Sequence, residues 1–378
     1  MSHSPVIRFR AALREQPSLD TLWQLWIQLV KPLIDEGRKD EAIALQEALL
    51  QEASTNGLEM RPYLAEEDSR PELLTEIGHL YADIGQNMEA ELLYKRALAI
   101  YRGMSPEDPT TIVEMLNRIA SFYAERGRQT EAEPFLQEAL SLRREALPES
   151  LFEVAKSLNS LGLLYFDQGR NREAETLYQE ALRLLRATPS PDLILVAHTL
   201  SNLGVVYVRI AHYKEAEALL KEALAMYEQN ISALAYLGVA NSLNSLASLY
   251  EHQGRYAEAE PMLKEAVEVL RRNGTEPSLN LGNTISSLAA LYGNQGRYAD
   301  AEPLQIEALE TLRHVLPPAN PRIAGMLSNL GCLYGSQGRY EEAAPLFEEA
   351  MNILRNVSPS DSPLLANCLI NQGQLSVN

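Results

Sequence analysis

The sequence predicts an all-α solenoid built from antiparallel helix pairs. Three observations predict it: one phrase recurs along the chain, a small turn residue returns at a near-constant interval, and each copy carries apolar residues at helical spacing. The phrase reads SLGLLYFDQGRNREAETLYQEAL from Ser160, SLASLYEHQGRYAEAEPMLKEAV from Ser245, SLAALYGNQGRYADAEPLQIEAL from Ser287 and NLGCLYGSQGRYEEAAPLFEEAM from Asn329. Looser copies begin at Glu76, Arg118 and Asn202. The turn residues are Gly37, Gly85, Gly127, Gly169, Ala211, Gly254, Gly296 and Gly338; most intervals are 42 residues, the first is 48 and the one after Ala211 is 43. A fixed period of this length marks a repeat array, not two or three separate globular domains.

Each copy divides into two helices. In the fourth, Leu158, Leu161, Gly162 and Tyr165 fall at i, i+3, i+4 and i+7, one apolar face of a helix. Gly162 shares its position with Gly204, Ala247, Ala289 and Gly331, where a small residue lets a neighbouring helix approach closely. Gly169 then closes the helix by taking a left-handed backbone. A second helix follows with Ala174, Tyr178 and Ala181 turned inward. So short a turn forces the two helices antiparallel. One pair cannot bury both apolar stripes, so the next pair must stack on it. Pro134, Pro261, Pro303 and Pro345 share one repeat position and are expected in the first turn of the second helix, where a missing N–H costs nothing.

This skeleton of small residue, Tyr, Gly, Ala and Ala resembles the tetratricopeptide repeat. The 42-residue period and the phrase LYxxQGRYxEAEPL resemble the kinesin light chain and nephrocystin-3 subgroup, of a regularity that bacterial arrays share. The resemblance spans roughly residues 19–375 and implies a right-handed superhelix of about eight repeats closed by a C-terminal capping helix. On this reading residues 1–57 hold an N-terminal segment and a degenerate first repeat, with Trp26, Leu29, Val30 and Leu33 inward. Residues 58–70 are a linker, 71–357 hold seven repeats, and 358–378 form the cap.

The resemblance also implies that first helices line a concave groove which binds proteins or peptides. Asn117, Asn159 and Asn244 precede the tyrosine of their repeat by six residues; Asn202 and Asn329 precede theirs by five. A side-chain amide both donates and accepts, so a ladder of amides suits the backbone of an extended peptide. The kinesin light chain-like pattern implies that contact for these five. Asn241 and Asn283 lie one helical turn earlier, with Lys156 and His198 at the same position, and Arg209 is a second groove cation. Glu72, Glu114, Asp167 and Glu251 make the groove charge mixed, unlike the basic groove that acidic kinesin cargo prefers. Leu163, Phe166, Val205 and Val208 are expected as an apolar patch within it.

Composition narrows the function further. With 51 acidic against 33 basic residues the formal net charge is −18, which opposes binding to nucleic acid and to anionic membranes. No apolar run approaches the roughly 18 residues of a membrane span. Cys332 and Cys368 are too far apart in sequence to suggest a disulfide framework or a metal motif, which fits a cytoplasmic setting. The six histidines form no HExxH, and no phosphate-binding glycine loop or GxSxG is present. The expectation is a non-catalytic adaptor or scaffold without cofactor or metal. The alternative is a regulatory protein that self-assembles into a homo-oligomer through Trp23 or Phe9 near its N-terminus, or through its convex face.

Overall fold

The computed structural model describes residues 71–357, apart from short connections, and a few positions between 28 and 45. Fourteen described helices run in sequence with no strand among the described residues. They are α1 (Pro71–Asp83), α2 (Asn87–Gly103), α3 (Thr110–Glu125), α4 (Gln129–Ala146), α5 (Leu151–Asp167), α6 (Asn171–Ala187) and α7 (Leu193–Arg209). Then follow α8 (Tyr213–Glu228), α9 (Ala235–His252), α10 (Tyr256–Asn273), α11 (Leu279–Asn294), α12 (Tyr298–Val315), α13 (Pro321–Ser336) and α14 (Tyr340–Val357). The chain forms two compact units, Met1–Gln168 and Gly169–Asn378, so the boundary falls in the turn of the fourth repeat. Trp23, Phe9 and the expected C-terminal cap lie outside the described residues. Of the degenerate first repeat, Val30 is fully buried.

Five of the described first helices, α3, α7, α9, α11 and α13, end through one hydrogen-bond pattern. At α9 the Gly254 N–H donates to Glu251 O (2.9 Å) and the Arg255 N–H to Tyr250 O (2.8 Å). This is a Schellman turn, which needs a left-handed residue at its centre. Gly254 supplies it with φ +71°, as Gly127, Gly169, Gly296 and Gly338 do in their repeats. Ala211 holds φ +62° in the same turn, and it is the one non-glycine residue with positive φ among the described residues.

Helix pairs pack as the small-residue position requires. A Cβ at Gly331 would stand 2.8 Å from Phe347 Cζ of the partner helix, and one at Gly204 would stand 2.8 Å from Leu220. The core nevertheless runs between repeats. In the C-terminal unit Leu220 and Ala216 of α8, Leu246, Leu249 and Tyr250 of α9, Leu263 of α10, and Leu288, Leu291 and Tyr292 of α11 form one buried cluster. Three successive repeats contribute to it, so no repeat owns a complete core. Val208 belongs to this cluster and is buried, which corrects its expected place in a groove patch.

The second helices also correct an expectation. Pro134, Pro261, Pro303 and Pro345 lie inside α4, α10, α12 and α14, each at the sixth helical residue. The helix starts directly after the turn arginine, earlier than the proline suggested. Each proline therefore removes a real i to i−4 bond. Both the prolines and the residues four before them (Thr130, Ala257, Ala299, Glu341) are exposed, so water can take the freed carbonyls.

The turn places a tyrosine and an arginine, five residues apart, against each other. Arg255, Arg297 and Arg339 lay their guanidinium groups 4.2, 4.0 and 4.1 Å from the ring centroids of Tyr250, Tyr292 and Tyr334. Arg297 Nε donates to Asp300 of its own second helix (2.9 Å), and its Nη1 to Glu260 of the preceding repeat (2.8 Å). Tyr292 Oη donates to the same Glu260 (3.0 Å), as does Lys264 Nζ (2.6 Å). Arg339 repeats the arrangement with Glu302 and Glu342, Arg255 with Glu217 and Glu258, and in the N-terminal unit Arg128 with Glu91 and Glu131. The QGR phrase is thus the part of the sequence that bolts one repeat to the next.

These donors hold the seam carboxylates ionised. Hydrogen bonding from Lys264, with Arg297 and Tyr292 outweighing desolvation, lowers Glu260 to about 2. Desolvation opposes ionisation of Glu91, yet Lys95 and Arg128 lower it to about 2 as well. A carboxylate with a depressed folded-state pKa contributes stability above its unfolded value, which is lost as pH falls through the folded one. Chemical-denaturation midpoints should therefore fall steadily as pH drops from about 4.5 towards about 2, and Glu260→Gln should flatten that slope. At the turns two swaps should have opposite signs. Ala211→Gly should raise stability by about 0.5 kcal/mol through relief of left-handed strain, and Gly254→Ala should lower it by about 1 kcal/mol. Urea titration of both variants measures this.

Candidate interaction face

The apolar stripe of each first helix turns into the core and leaves one face outside. Counted from the repeat tyrosine, that face is at −9, −5, −2 and +2, which is i, i+4, i+7 and i+11 on a helix. In the C-terminal unit α7 presents His198, Asn202, Val205 and Arg209 there, and α9 presents Asn241, Ser245, Ser248 and His252. On α11 they are Asn283, Ser287, Ala290 and Asn294; on α13, Gly325, Asn329, Cys332 and Ser336. No carboxylate occurs at these positions, in a chain of net charge −18. Glu251, expected in the groove, sits beside the stripe on α9; it is half-buried, and burial raises its pKa.

Curvature follows from packing within this unit. Each first helix packs on the next, α7 on α9, α9 on α11 and α11 on α13, whereas no two successive second helices pack as closely. Successive second helices are bridged by long side chains instead, Arg186 to Glu222, Arg271 to Glu307 and Arg313 to Glu349. The first-helix face is therefore the inner side of the curve.

The N-terminal unit carries a different face. Glu72, Glu76, Glu114 and Glu125 occupy the same register on α1 and α3. A cleft of about 120 Å³ lies among Glu72, Glu76, Glu114, Tyr101 and Arg118. Burial and the adjacent Glu72 carboxylate push the Tyr101 hydroxyl up to about 12. Arg118 is hydrogen-bonded to His79 Nε2 at 2.6 Å.

The structure separates the expected site residues into two groups. Asn241, Asn283 and Asn329 are exposed on the inner face of the C-terminal unit, with Arg209 exposed at its edge. Lys156 is exposed on α5 of the N-terminal unit, 3.5 Å from Glu153 and 5.5 Å from the Phe152 ring. The others are less exposed. Asn244 Nδ2 donates to Thr284 Oγ1 of the next first helix (2.7 Å), and its Oδ1 is buried. Asn159 is buried, and Asn117 Oδ1 and Asn202 Nδ2 are shielded from solvent. Asn202 lies on the stripe at −5 and is half-buried; for Asn117, Asn159 and Asn244 the physical reason is position −6, which lies off the exposed stripe. Ser201 Oγ lies there too and meets Ser242 Oγ at 3.3 Å. Asn329, besides being exposed, reaches Ser286 Oγ at 3.5 Å. Sequence reasoning missed the serines at −5 and −2, although the 42-residue register would have singled them out.

The chain belongs to the tetratricopeptide repeat family. One tetratricopeptide repeat model matches residues 153–229, 238–314, 280–356 and 322–375, and a second matches residues 113–150. No curated protein matches the chain. Among solved structures it is similar to a tetratricopeptide repeat protein from Parabacteroides merdae at 19% identity and a TM-score of 0.52, covering 82% of this chain and 99% of that one. BtubC (BKLC) from P. vanneervenii is 23% identical with a TM-score of 0.50, over 63% of this chain and 94% of its own. A Podosopora anserina protein described as a kinesin light chain, with nearly identical TPR-like repeats, is 20% identical with a TM-score of 0.44, over 54% and 97% of the two chains. The first two likenesses concern the fold alone; the tetratricopeptide repeat is in general a scaffold for protein interaction. Among the described residues no helix is long and apolar enough to cross a membrane.

The two asparagine groups should respond differently to truncation. Asn244→Ala removes the bond to Thr284 and should cost about 1 kcal/mol of stability. Asn283→Ala, on the exposed face, should change stability by less than about 0.5 kcal/mol. Equilibrium unfolding in urea compares them directly.

Proposed function

We propose that the inner face of the C-terminal unit binds an extended peptide segment of a protein partner, and that the chain acts as a non-catalytic cytoplasmic adaptor. The observation that carries this reading is the absence of carboxylates from the four exposed stripes of α7, α9, α11 and α13, in so acidic a chain. A face of amides, hydroxyls and imidazoles offers donors and acceptors without a fixed charge. That chemistry suits a peptide backbone, whose N–H and C=O groups recur whatever the side chains. Asn241, Asn283 and Asn329 carry the contact in this reading, and Arg209 and His252 border it. Asn202 lies on the same stripe of α7 and borders the contact, whereas Asn244 acts through a seam, by holding α9 against α11.

The test uses the full chain and a peptide selected against it from a random displayed library. Replacing Asn241, Asn283 and Asn329 together by Ala should weaken that peptide about tenfold or more, since each lost hydrogen bond is worth about 0.5–1.5 kcal/mol. Helix content by circular dichroism should stay unchanged. Undiminished affinity in the triple variant contradicts the assignment.

A further inference from the structure

The eighth residue of every described second helix is buried in the core. In six of these helices it is apolar or aromatic, namely Tyr94, Leu136, Tyr178, Leu220, Leu263 and Phe347; in α12 it is Gln305, which is 3% exposed. A buried primary amide costs stability unless its polar atoms find partners, and an apolar side chain fills such a place without that cost. Both ends of Gln305 are engaged, and the partners lead out of the core. Its Nε2 donates to Met326 O of α13 (3.4 Å), and its Oε1 accepts from Ser286 Oγ of α11 (3.1 Å). Ser286 is itself buried, and its Oγ accepts in turn from Asn329 Nδ2 of α13 (3.5 Å). Asn329 stands exposed on the inner face.

The direction of this chain of bonds is fixed at its buried end. A backbone carbonyl can only accept, so Met326 O requires the Gln305 amide to turn its nitrogen to α13 and its oxygen to α11. The Ser286 hydroxyl gives its one hydrogen to that oxygen, so the Asn329 amide must turn its nitrogen to Ser286. Asn329 Oδ1 is the atom left over, and it accepts no hydrogen bond among the described residues. Asn241 and Asn283, exposed on the same face, make no side-chain hydrogen bond among the described residues, so nothing there orients their amides. Resting on the groove reading above, we propose that Gln305 is a positioning residue for that site: it holds the Asn329 amide with Oδ1 presented to the groove, where it accepts a backbone N–H of the bound segment. An amide held before contact loses less freedom on binding than a free one, which makes Asn329 the anchor among the three. The proposal also accounts for a polar residue at a core position that six other second helices fill with apolar or aromatic side chains.

The experiment compares the full chain with Gln305→Leu, which installs the residue of α8 and α10, and with the unbranched Gln305→Met; circular dichroism checks that helix content is kept. Two quantities are read: the relaxation of the Asn329 side-chain amide in a nitrogen-15-labelled chain, assigned through Asn329→Ala, and the affinity of the peptide selected as above. In both Gln305 variants the Asn329 amide should become as mobile as that of Asn283, and the peptide should bind about two- to tenfold more weakly, the worth of one hydrogen bond. Asn329→Ala should then cost little further in the Gln305→Leu background, whereas Asn283→Ala should cost the same in both backgrounds. Methylating the peptide's backbone nitrogens one at a time should find one position that weakens binding to the parent but not to Asn329→Ala. An Asn329 amide that the Gln305 variants leave unmoved overturns the proposal. So does an Asn329→Ala cost that is equal in both backgrounds, or a methylation scan without such a position. A peptide indifferent to the loss of Asn241, Asn283 and Asn329 together contradicts the groove reading instead, and the amide relaxation still decides whether Gln305 holds Asn329.

Discussion

The stacking of an arginine on the repeat tyrosine, with its two carboxylates, is the contact on which the array depends. A helix pair cannot bury both of its apolar faces, so every repeat must be held against its neighbour. Apolar packing supplies most of that hold, as the cluster shared by α8, α9, α10 and α11 shows. The Schellman turn adds a polar hold, because it brings Tyr250 and Arg255, or Tyr292 and Arg297, into contact, and the guanidinium reaches a carboxylate of the preceding repeat. One six-residue phrase therefore ends a helix, starts the next and ties two repeats together.

The charge of the molecule is organised by the same seams. Many of its carboxylates sit on second helices, where arginine and lysine answer them at the junctions before α9, α11 and α13. The first helices of the C-terminal unit are left free of acid along their exposed stripes, whereas the first helices α1 and α3 of the N-terminal unit carry Glu72, Glu76 and Glu114. Two faces of the same register thus offer different chemistry to a partner. Cys332 stands exposed within the neutral face but has no acidic or metal-binding cluster around it among the described residues.

Much of the fold was legible in the sequence, for physical reasons. The period follows from glycine, since few other residues hold a left-handed turn, and Ala211 was visible as an exception before its φ of +62° was known. The proline position misled because a helix start is set by the turn hydrogen bonds, and the helices already begin at Tyr256 and Tyr298, five residues ahead of Pro261 and Pro303. At the candidate site the sequence shows which helices carry the asparagines but not how far each is exposed. A residue at −6 looks like one at −5 in a list of asparagines, yet a shift of one residue turns a helical side chain by about 100°. That rotation takes Asn244 to Thr284 and leaves Asn329 exposed. His212 stands beside Tyr207 where Arg255 stands beside Tyr250, its ring tilted at 5.7 Å between centroids. The arginine that it replaces could be noticed in the phrase itself, but its meaning needed the ring and carboxylate contacts of the neighbouring seams.

If the guanidinium at each turn governs how firmly neighbouring repeats are joined, the seam at Tyr207 should open more readily than those at Tyr250 and Tyr292. Hydrogen-exchange mass spectrometry of the full chain, read helix by helix, tests this most directly. The account predicts faster exchange in α7 and α8 than in α9 to α12 at neutral pH. Equal protection across these helices, or greater protection at α7 and α8, would contradict it.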